Sequence, residues 1–372
     1  MNLVFFIQSL ANGGAERVTA NLANYWAERG WNVAVITIDP AEDDFLALHS
    51  KVGRQCLNAE PKPRFPGDAI FRNVMRLLKL RRILRSLDPD IAIGVMSNAS
   101  VLLALAGLNL RCRCIGTERV HPPMVPKMGR LREIVRMLSY NLLDRVVVQT
   151  TETENWIKVN IRARHIQTIP NPVAWPLPRQ EASKPIVAYV NPDQKFILAC
   201  GRLAGQKGFD ILIDAFDSIA ARHQEWNLII LGDGDERPAL ERQIQDLNLP
   251  GRVLLPGPVG NMSDWYERAS IFVLSSRFEG MPNVLLEAMA HGLPAISFDC
   301  DTGPREIIRH GTDGLLVPPE DTKLLALGMS QLIEDDALRK EMSQRAIEVR
   351  DRFSMQRIVG MWEDLFSNLL AK

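Results

Sequence analysis

The chain repeats one local pattern on both sides of a single proline-rich break. In this pattern a short apolar run predicts a strand, a loop follows, and an amphipathic stretch predicts a helix. Six prolines fall within residues 170–195, where periodicity is weak, and such a composition is typical of an extended connector. Alternating strands and helices favour parallel sheets covered by helices on both faces. The sequence therefore predicts an α/β protein with two doubly wound, Rossmann-like domains.

The prolines set the predicted domain boundaries. Residues 1–170 form the first domain, 171–195 the linker and 196–352 the second domain, and we expect a last helix in 353–372 to pack back on the first domain. Ligands of doubly wound sheets bind beyond the carboxyl ends of the strands, so two domains facing a cleft would share one site. The predicted strands are residues 3–7, 33–38, 91–96, 145–149, 196–200, 227–231, 252–255, 271–274 and 295–298. The predicted helices are residues 15–29, 72–86, 101–108, 209–222, 236–248, 283–291, 321–334, 336–351 and 354–370.

Composition limits the compartment and the chemistry. Five cysteines without a C-x-x-C spacing support neither a disulfide framework nor a zinc site, and they favour a reducing cytoplasm. We expect no secretory signal, because the first residues lack its basic segment. Residues 91–110 carry no charge and are long enough to span a bilayer, but the polar residues within 97–100 favour a buried strand, a polar turn and a buried helix.

Two glycine-containing loops each lie between a predicted strand and a predicted helix. In residues 8–17 (QSLANGGAER), adjacent glycines let the backbone approach a ligand, and the helix amides that follow can receive an anion. In residues 201–210 (GRLAGQKGFD), Arg202 can give bidentate contacts to a diphosphate and Lys207 a point charge. The first loop is not G-x-G-x-x-G, and the second is not a Walker loop. Plain turns with solvated cations are the alternative.

A third motif, residues 277–287 (RFEGMPNVLLE), carries two carboxylates around a helix start. Pro282 suits the first helical position, which would leave amides of Gly280 and Met281 at the positive helix end. Glu279 and Glu287 are eight residues apart, about 12 Å of helical rise, whereas glycosidase acid pairs lie ~5–9.5 Å apart. The spacing argues against hydrolysis and suits the two ends of a nucleotide-sugar. A capped helix with one exposed glutamate is the alternative.

A fourth motif, residues 299–306 (DCDTGPRE), follows a predicted strand and could present amides to an anion or form a plain turn.

Together the four motifs resemble the family-four retaining glycosyltransferases, which have the two-Rossmann GT-B fold. The matching stretches include GRLAGQKGFDILIDAF, LGDGDERPALE, SSRFEGMPNVLLEAMAHGLPAI and GPREIIRHGTDGLLVP, and NGGAERV is similar to the family's glycine loop. GGAERV with TERVHPP and TGPREII resembles bacterial enzymes that extend polyprenyl-diphosphate-linked glycans, N-acetylgalactosaminyltransferases among them.

The resemblance implies a role for each motif residue. Arg202 and Lys207 would bind the donor diphosphate, and Gly14 would approach it from the other domain. Glu287 would bind the ribose hydroxyls, and Glu279 would contact the donor sugar at the reacting centre. The other implied donor contacts are Pro258 and Val259, which would lie against the base, and Gly280, Met281, Pro282 and Asn283. Neither a metal nor a cofactor is expected beside the UDP-sugar co-substrate, because cations and helix amides would stabilise the leaving diphosphate.

The first domain offers one further candidate catalytic residue. Many members of the family have a histidine there that faces the donor sugar, and His121 stands at this place, but related bacterial enzymes often have another polar residue. A surface-loop role for His121 stays open, and Glu118 or Arg119 is the alternative participant. In the implied reaction a nucleoside diphosphate leaves the anomeric carbon, the acceptor hydroxyl attacks from the same face, and configuration is retained.

The zero net charge, 44 basic against 44 acidic residues, conceals a split. Residues 1–180 carry 24 basic and 15 acidic side chains, hence +9, and residues 181–372 are −9. Residues 62–136 alone hold 15 basic and five acidic side chains, but aromatic residues are sparse and no nucleic-acid motif is present. With the resemblance, an anionic membrane surface and a diphosphate-lipid acceptor fit this stretch better than a solvated face. The cations assigned to that surface are Arg72, Arg76, Lys79 and Arg82.

Three functional hypotheses follow. The first is a cytoplasmic protein, peripheral on the inner face of the membrane, that moves a hexose or N-acetylhexosamine from a UDP-sugar to a polyprenyl-diphosphate-linked glycan in cell-surface glycan assembly. N-acetylgalactosamine is the favoured sugar. The second is a nucleotide-sugar epimerase of similar fold, and the third is a non-catalytic nucleotide-sugar-binding protein.

Overall fold

A computed structural model describes residues 1–11, 13–57, 68–124, 130–161, 163, 165–177 and 184–371. The chain forms two compact units: unit 1 is Met1–Asn171 with Ile358–Lys372, and unit 2 is Pro172–Arg357. The boundary therefore falls at the start of the predicted linker, whose residues 178–183 lie outside the described residues.

Unit 1 contains a parallel sheet of seven described strands. Its spatial order is β3-β2-β1-β4-β5-β6-β7. The strands are β1 (Asn2–Ile7), β2 (Asn32–Thr37), β3 (Gly53–Cys56), β4 (Ile91–Val95), β5 (Arg113–Thr117), β6 (Arg145–Val148) and β7 (Ile166–Thr168). The runs of Val, Ile and Phe in the central strands are buried, as expected for a sheet covered on both faces.

Helices cover both faces of this sheet. They are α1 (Gly14–Glu28), α2 (Asp68–Leu87), α3 (Ser97–Ala106), α4 (Arg130–Tyr140) and α5 (Thr151–Asn160). Helices α2 to α5 share one core with alternate residues of the strands, which includes Leu84, Leu103 and Tyr140. Gly30, with φ of 83°, follows α1 in the left-handed conformation that ends many helices.

Unit 2 is built on a second parallel sheet, of six strands in the order β10-β9-β8-β11-β12-β13. The strands are β8 (Lys195–Cys200), β9 (Trp226–Leu231), β10 (Val253–Gly257), β11 (Ile271–Leu274), β12 (Ala295–Phe298) and β13 (Gly314–Val317). The helices are α6 (Phe209–Ala220), α7 (Arg237–Asp246), α8 (Met262–Arg268), α9 (Asn283–Ala290), α10 (Pro304–Ile307), α11 (Thr322–Glu334), α12 (Asp336–Ala346) and α13 (Val349–Arg352). Two buried clusters, one on each face of the sheet, form the core. The prediction of two doubly wound domains is confirmed.

The last helix, α14 (Met355–Leu370), belongs to unit 1 from Ile358 onward. The indole of Trp26 on α1 donates to Glu363 Oε1 (2.9 Å) and its ring lies 5.5 Å from that of Phe366. An amphipathic helix needs a partner for its apolar face, and α1 supplies one.

Two local predictions are wrong. Residues 97–100 do not form a turn, because α3 begins at Ser97; Ser97 Oγ donates to Glu118 and Ser100 Oγ to the Gly94 carbonyl, so these hydroxyls are satisfied within the fold. The helix predicted at 336–351 is interrupted between Ala346 and Val349.

Candidate active site

The order of the second sheet defines where a ligand would bind in unit 2. From β8 the chain moves outward to β9 and β10 and then returns to β11, which pairs with β8 on its other side. The loops after β8 (residues 201–208) and after β11 (275–282) therefore leave the sheet side by side, at its switch point. Two of the four sequence motifs lie in these loops.

Direct hydrogen bonds join the two loops. Arg277 N donates to Gln206 O (2.8 Å), Gln206 Nε2 donates to Phe278 O (2.9 Å), and Ser275 Oγ donates to Lys207 O (2.9 Å). Gly208 has φ of 61°, and a Cβ there would lie 2.1 Å from Ser275 O. Glycine is therefore required at this crossing, both for its backbone conformation and for the close approach.

The ammonium and the carboxylate predicted to meet the donor are in contact. Lys207 Nζ donates to Glu279 Oε1 (2.6 Å), which also accepts from Ser276 Oγ (2.6 Å). Glu279 is buried and Lys207 is half-buried, so the pair is held away from bulk water. Charge-assisted hydrogen bonds are stronger in such a partly buried environment than in water. Ser276 was not predicted, although two serines, Ser275 and Ser276, directly after an apolar strand were a usable signal.

Arg202 stands at the entrance of the same loop. Its side chain is exposed and makes no hydrogen bond or ion pair with any residue that the structure describes. The loop thus offers one cation fixed by a carboxylate, Lys207, and one open to solvent, Arg202. Such a pair suits an anionic ligand, because the exposed guanidinium gains charge-assisted hydrogen bonds without first losing a protein partner.

The turn from Gly280 to Asn283 is fixed by the loop after β12. Thr302 Oγ1 donates to Glu279 O (2.5 Å), and Gly303, with φ of 97°, has its missing Cβ position 2.5 Å from Gly280 O. Met281 is buried. Pro282 is not the first helical residue as predicted: it caps α9 in an extended conformation, and α9 begins at Asn283.

Glu287 lies inside α9 and is buried, and Glu279 is buried too, so the alternative of a capped helix with one exposed glutamate is wrong. Tyr266 Oη donates to Glu287 Oε2 (3.2 Å) and lies 3.5 Å from Cys200 Sγ at the end of β8. Tyr266 was not predicted, because only the fold brings α8 against α9. A buried carboxylate with a fixed orientation can accept hydrogen bonds from a pair of hydroxyls.

Pro258 and Val259 follow β10 at the same edge of the sheet. Gly257 has φ of 89° and its carbonyl accepts from Gly232 N (3.0 Å), which ties the end of β10 to the end of β9. Pro258 is exposed, while Val259 packs partly into the core. Both residues thus lie at the strand ends, where the flat ring of a nucleotide base could lie against them.

The first sheet has its switch point between β1 and β4. Gly13 caps α1 and Gly14 is its first residue, exposed at the helix start. Beyond β4, Met96 has φ of 73° and ψ of 161°, a region that only glycine adopts without strain. Strained backbone of this kind clusters at functional sites, and here it directly precedes α3.

A buried polar cluster lies beside this strained residue. Glu118, at the end of β5, accepts hydrogen bonds from Ser97 Oγ (2.9 and 2.8 Å) and from the hydroxyl of Tyr140. Burial raises the pKa of Glu118, and the hydrogen bonds from Tyr140 and Ser97 oppose that rise. Ser97 and Tyr140 come from distant parts of the sequence and were not predicted.

Arg119 and His121 are also buried. Burial lowers the pKa of Arg119 to about 10, and its Nη1 donates to Asn171 Oδ1 (2.8 Å). His121 Nδ1 lies 3.1 Å from Thr153 Oγ1. His121 is therefore not a surface-loop residue, because its ring is fixed against α5. Its catalytic role stays a prediction.

The four predicted membrane cations all lie on α2. Lys79 Nζ donates to Leu57 O (2.8 Å), and Arg76 Nη1 lies 3.4 Å from Asn73 Oδ1. Arg72 is half-buried and Arg82 is exposed. Of the wider basic stretch, Lys62, Arg64 and Lys127 lie outside the described residues.

Among the residues described, no group of three or more His, Cys, Asp or Glu could hold a metal ion.

Two known families match consecutive parts of the chain. The family described as Glycosyltransferase Family 4 matches residues 12–174, and the family described as Glycosyl transferases group 1 matches residues 183–349. The chain therefore carries two glycosyltransferase domains. The family 4 domain contains α1 and the buried Glu118 cluster, and the group 1 domain contains Lys207, Glu279 and Glu287.

Two relatives that match over nearly their full length are named as glycosyltransferases, and a third, matched over part of its length, is named as a phosphotransferase. The chain is 35% identical to an exopolysaccharide phosphotransferase of Streptomyces coelicolor over 79% of this chain, but it spans only 30% of that protein. It is 27% identical to the amylovoran biosynthesis glycosyltransferase AmsD of Erwinia amylovora, over 98% of this chain and 99% of the relative. It is 25% identical to a Campylobacter jejuni alpha-1,4-N-acetyl-D-galactosaminyltransferase named for an undecaprenol-PP-linked acceptor, over 99% of both chains.

Solved structures confirm the GT-B fold of the glycosyltransferase domains. A sucrose-phosphate synthase from Thermosynechococcus elongatus matches with a TM-score of 0.84 and 20% identity over 100% of both chains. The Anabaena protein HepE, solved with UDP, matches with a TM-score of 0.81 and 20% identity over 99% of this chain and 100% of its own. In the described part of the chain, no helix is both long enough and apolar enough to cross a membrane.

Proposed function

We propose that this protein transfers a hexose or N-acetylhexosamine, with N-acetylgalactosamine favoured, from a UDP-sugar to a polyprenyl-diphosphate-linked glycan. The transfer retains the anomeric configuration and needs no metal. The observation that carries the proposal is the contact between Lys207 and Glu279 at the switch point of the second sheet. The Campylobacter relative named for a diphosphate-linked acceptor and HepE with bound UDP support the choice of acceptor and donor.

The donor would lie across the strand ends of unit 2. Its diphosphate meets Arg202 and Lys207, its ribose hydroxyls meet Glu287, and its base lies against Pro258 and Val259. Glu279 then faces the sugar. Because Lys207 already contacts Glu279, one ammonium links the sugar-side carboxylate to the diphosphate position and sets the distance between them.

The chemistry follows from the charges that develop. The bond between the anomeric carbon and the diphosphate oxygen breaks, and the acceptor oxygen bonds to the same face of that carbon. The acceptor proton passes to the leaving phosphate oxygen. Lys207, Arg202 and the amides near the start of α9 stabilise the growing negative charge on the diphosphate, which is why a metal is not needed. Glu279 stabilises positive charge on the sugar.

Unit 1 would supply the acceptor side. Gly14 is the donor-binding candidate of unit 1, and His121 and the Glu118 cluster are its candidates for binding the sugar and the acceptor. The cations of α2 would meet an anionic membrane surface, where the lipid-linked acceptor resides. The protein would then work at the inner face of the membrane.

The direct test is a transfer assay. The purified full chain is mixed with each of several UDP-sugars and an undecaprenyl-diphosphate-linked glycan in detergent, with and without excess EDTA. A lipid glycan heavier by one sugar residue, with an axial anomeric linkage by NMR and undiminished yield in EDTA, is the expected product. Interconversion of the nucleotide-sugar without acceptor would instead identify an epimerase, and binding without turnover a non-catalytic protein.

Variants of the loop pair connect the activity to the geometry. Lys207→Ala should lower kcat by roughly 10²–10³, the loss typical of one removed transition-state donor. Lys323→Ala, which removes an exposed lysine on α11, is the matched control and should retain activity. Equal activity of the two variants would show that the Lys207–Glu279 contact is not part of the catalytic site.

A further inference from the structure

Helix α2 presents an apolar row to solvent. Phe71, Val74, Met75 and Leu78 follow the spacing i, i+3, i+4 and i+7, so they share one face of the helix. All four are exposed, Phe71 by 62% and Leu78 by 55%. The opposite face, with Leu80 and Leu84, is buried in the core of unit 1. The helix is thus apolar on both its inner and its outer face over these turns.

Helix α4 repeats this feature. Ile134, Val135 and Leu138 are exposed, and Leu142 continues the row just after the helix. Tyr140 on the same helix is buried in the core that also receives Leu84 of α2. Both helices pack against the same face of the first sheet, and α3 contributes to the core there through Leu103. Their outer rows therefore lie on the same side of unit 1.

The charges around the α2 row specify the partner. Residues 71–87 contain six cations and no acidic residue. Successive residues of a helix turn by about 100°, so Arg82 and Arg85 continue the line of the apolar row in the next turns, and Arg72 and Lys79 flank it. An apolar stripe bordered by cations is the pattern of a helix that lies in the interface of an anionic membrane.

We propose that the α2 row and the α4 row insert into the acyl boundary of an anionic bilayer, while the cations of α2 bind its headgroups. The proposal rests on the proposed lipid-linked acceptor and identifies the surface that reaches it. Insertion makes binding depend on apolar area and not only on charge. A second copy of the chain is a poorer occupant, because pairing two α2 rows would bring two sets of six cations together.

The test compares vesicle binding of matched variants of the full chain. The vesicles are phosphatidylcholine alone or phosphatidylcholine with phosphatidylglycerol, and bound protein is measured by flotation over a salt series. The double variant Phe71→Ser, Leu78→Ser should bind anionic vesicles roughly 10²-fold more weakly than the parent at every salt concentration, about tenfold per removed side chain. Phe45→Ser is the control, because Phe45 is also exposed in unit 1, by 57%, but outside both rows.

Charge reversal separates the two contributions. Arg82→Glu should weaken binding at low salt and have little effect at high salt, where headgroup attraction is screened. The apolar double variant should stay defective at high salt. If it binds vesicles as well as the Phe45→Ser protein does, or if the apolar rows prove to drive concentration-dependent self-association instead, the insertion proposal is wrong.

The assay also separates this proposal from the catalytic one. Phe71→Ser, Leu78→Ser should act normally on a water-soluble, short-chain prenyl diphosphate glycan and poorly on the same glycan in vesicles. If vesicle binding of the parent chain depends on the α2 and α4 rows but the chain transfers no sugar, the catalytic proposal is wrong and the membrane-insertion proposal is retained. If the parent transfers sugar and the double variant is equally active on both acceptors, the surface proposal fails and the catalytic one stands.

Discussion

Replacing Gly208 by alanine tests the crossing of the two loops in unit 2. At this residue φ is 61°, and the added Cβ would lie 2.1 Å from the carbonyl oxygen of Ser275. The neighbour is backbone at the end of β11, so it cannot rotate out of the way. The loops must separate by about 1 Å to restore an ordinary contact, and Lys207 immediately precedes the moved residue.

Two terms give the expected loss of stability. Left-handed backbone costs a residue with a Cβ about 1–2 kcal/mol, and overpacking costs about 1–3 kcal/mol. Alanine also raises the free energy of unfolding by about 0.4–1 kcal/mol, because it restricts the unfolded chain more than glycine does. The net loss is therefore about 1–5 kcal/mol, or roughly 2–20 °C in the melting temperature of a unit of this size.

Scanning calorimetry with and without UDP measures both consequences. The transition of unit 2 should move down, and the upward shift that UDP gives the parent should shrink, because Lys207 is displaced from Glu279. Gly205→Ala is the matched control, since no atom lies within 4 Å of its Cβ position. That variant should melt and bind UDP as the parent does. If Gly208→Ala behaved like Gly205→Ala, the argument that this crossing positions the diphosphate loop would be refuted.

Three further outcomes are expected. Glu287→Ala should abolish the preference of the protein for UDP over 2′,3′-dideoxy-UDP in calorimetric titrations, and an unchanged preference would remove Glu287 from the ribose site. Tyr266→Phe should reduce that preference only several-fold, because the carboxylate keeps its place but loses one donor. Burial raises the pKa of Glu118 above its ordinary 4.5, so the folded protein binds this proton more tightly than the unfolded chain does. The contribution of Glu118 to stability therefore falls as the pH rises above about 4.5. The melting temperature of Glu118→Gln relative to the parent should therefore rise between pH 4.5 and 8, and a difference independent of pH would contradict the buried, proton-favouring site.

Strong local patterns predicted much of the fold. The strands at Ile271–Leu274 and Ala295–Phe298 were predicted to the residue, because buried parallel strands are short, continuous apolar runs between glycine- or proline-containing turns. Strand β3, with the sequence GRQC, was missed because an edge strand has one neighbour and little burial, so it lacks an apolar run. The same holds for β7 at the other edge, whose residues are half-buried.

The sequence predicted which residues belong to the site, but it did not predict which of their side chains are in contact. Lys207 and Glu279 were both chosen from motifs, yet nothing in the sequence joins two side chains 72 positions apart. Their contact requires that β8 and β11 be neighbours, which depends on where the chain reverses direction across the sheet. Glu118, Ser97 and Tyr140 meet for the same reason, since three different elements of unit 1 supply them.

The sequence by itself determined the α/β class, the two halves, the glycine-containing loops and the charged residues that they carry, because these depend on local periodicity and on residue chemistry. Only the tertiary structure decided which strand ends are adjacent, which carboxylates are buried, and which apolar residues of α2 and α4 stay in solvent. Those properties depend on how elements far apart in the chain pack together. A helix with leucines on both faces does not reveal from its sequence which face will meet the core.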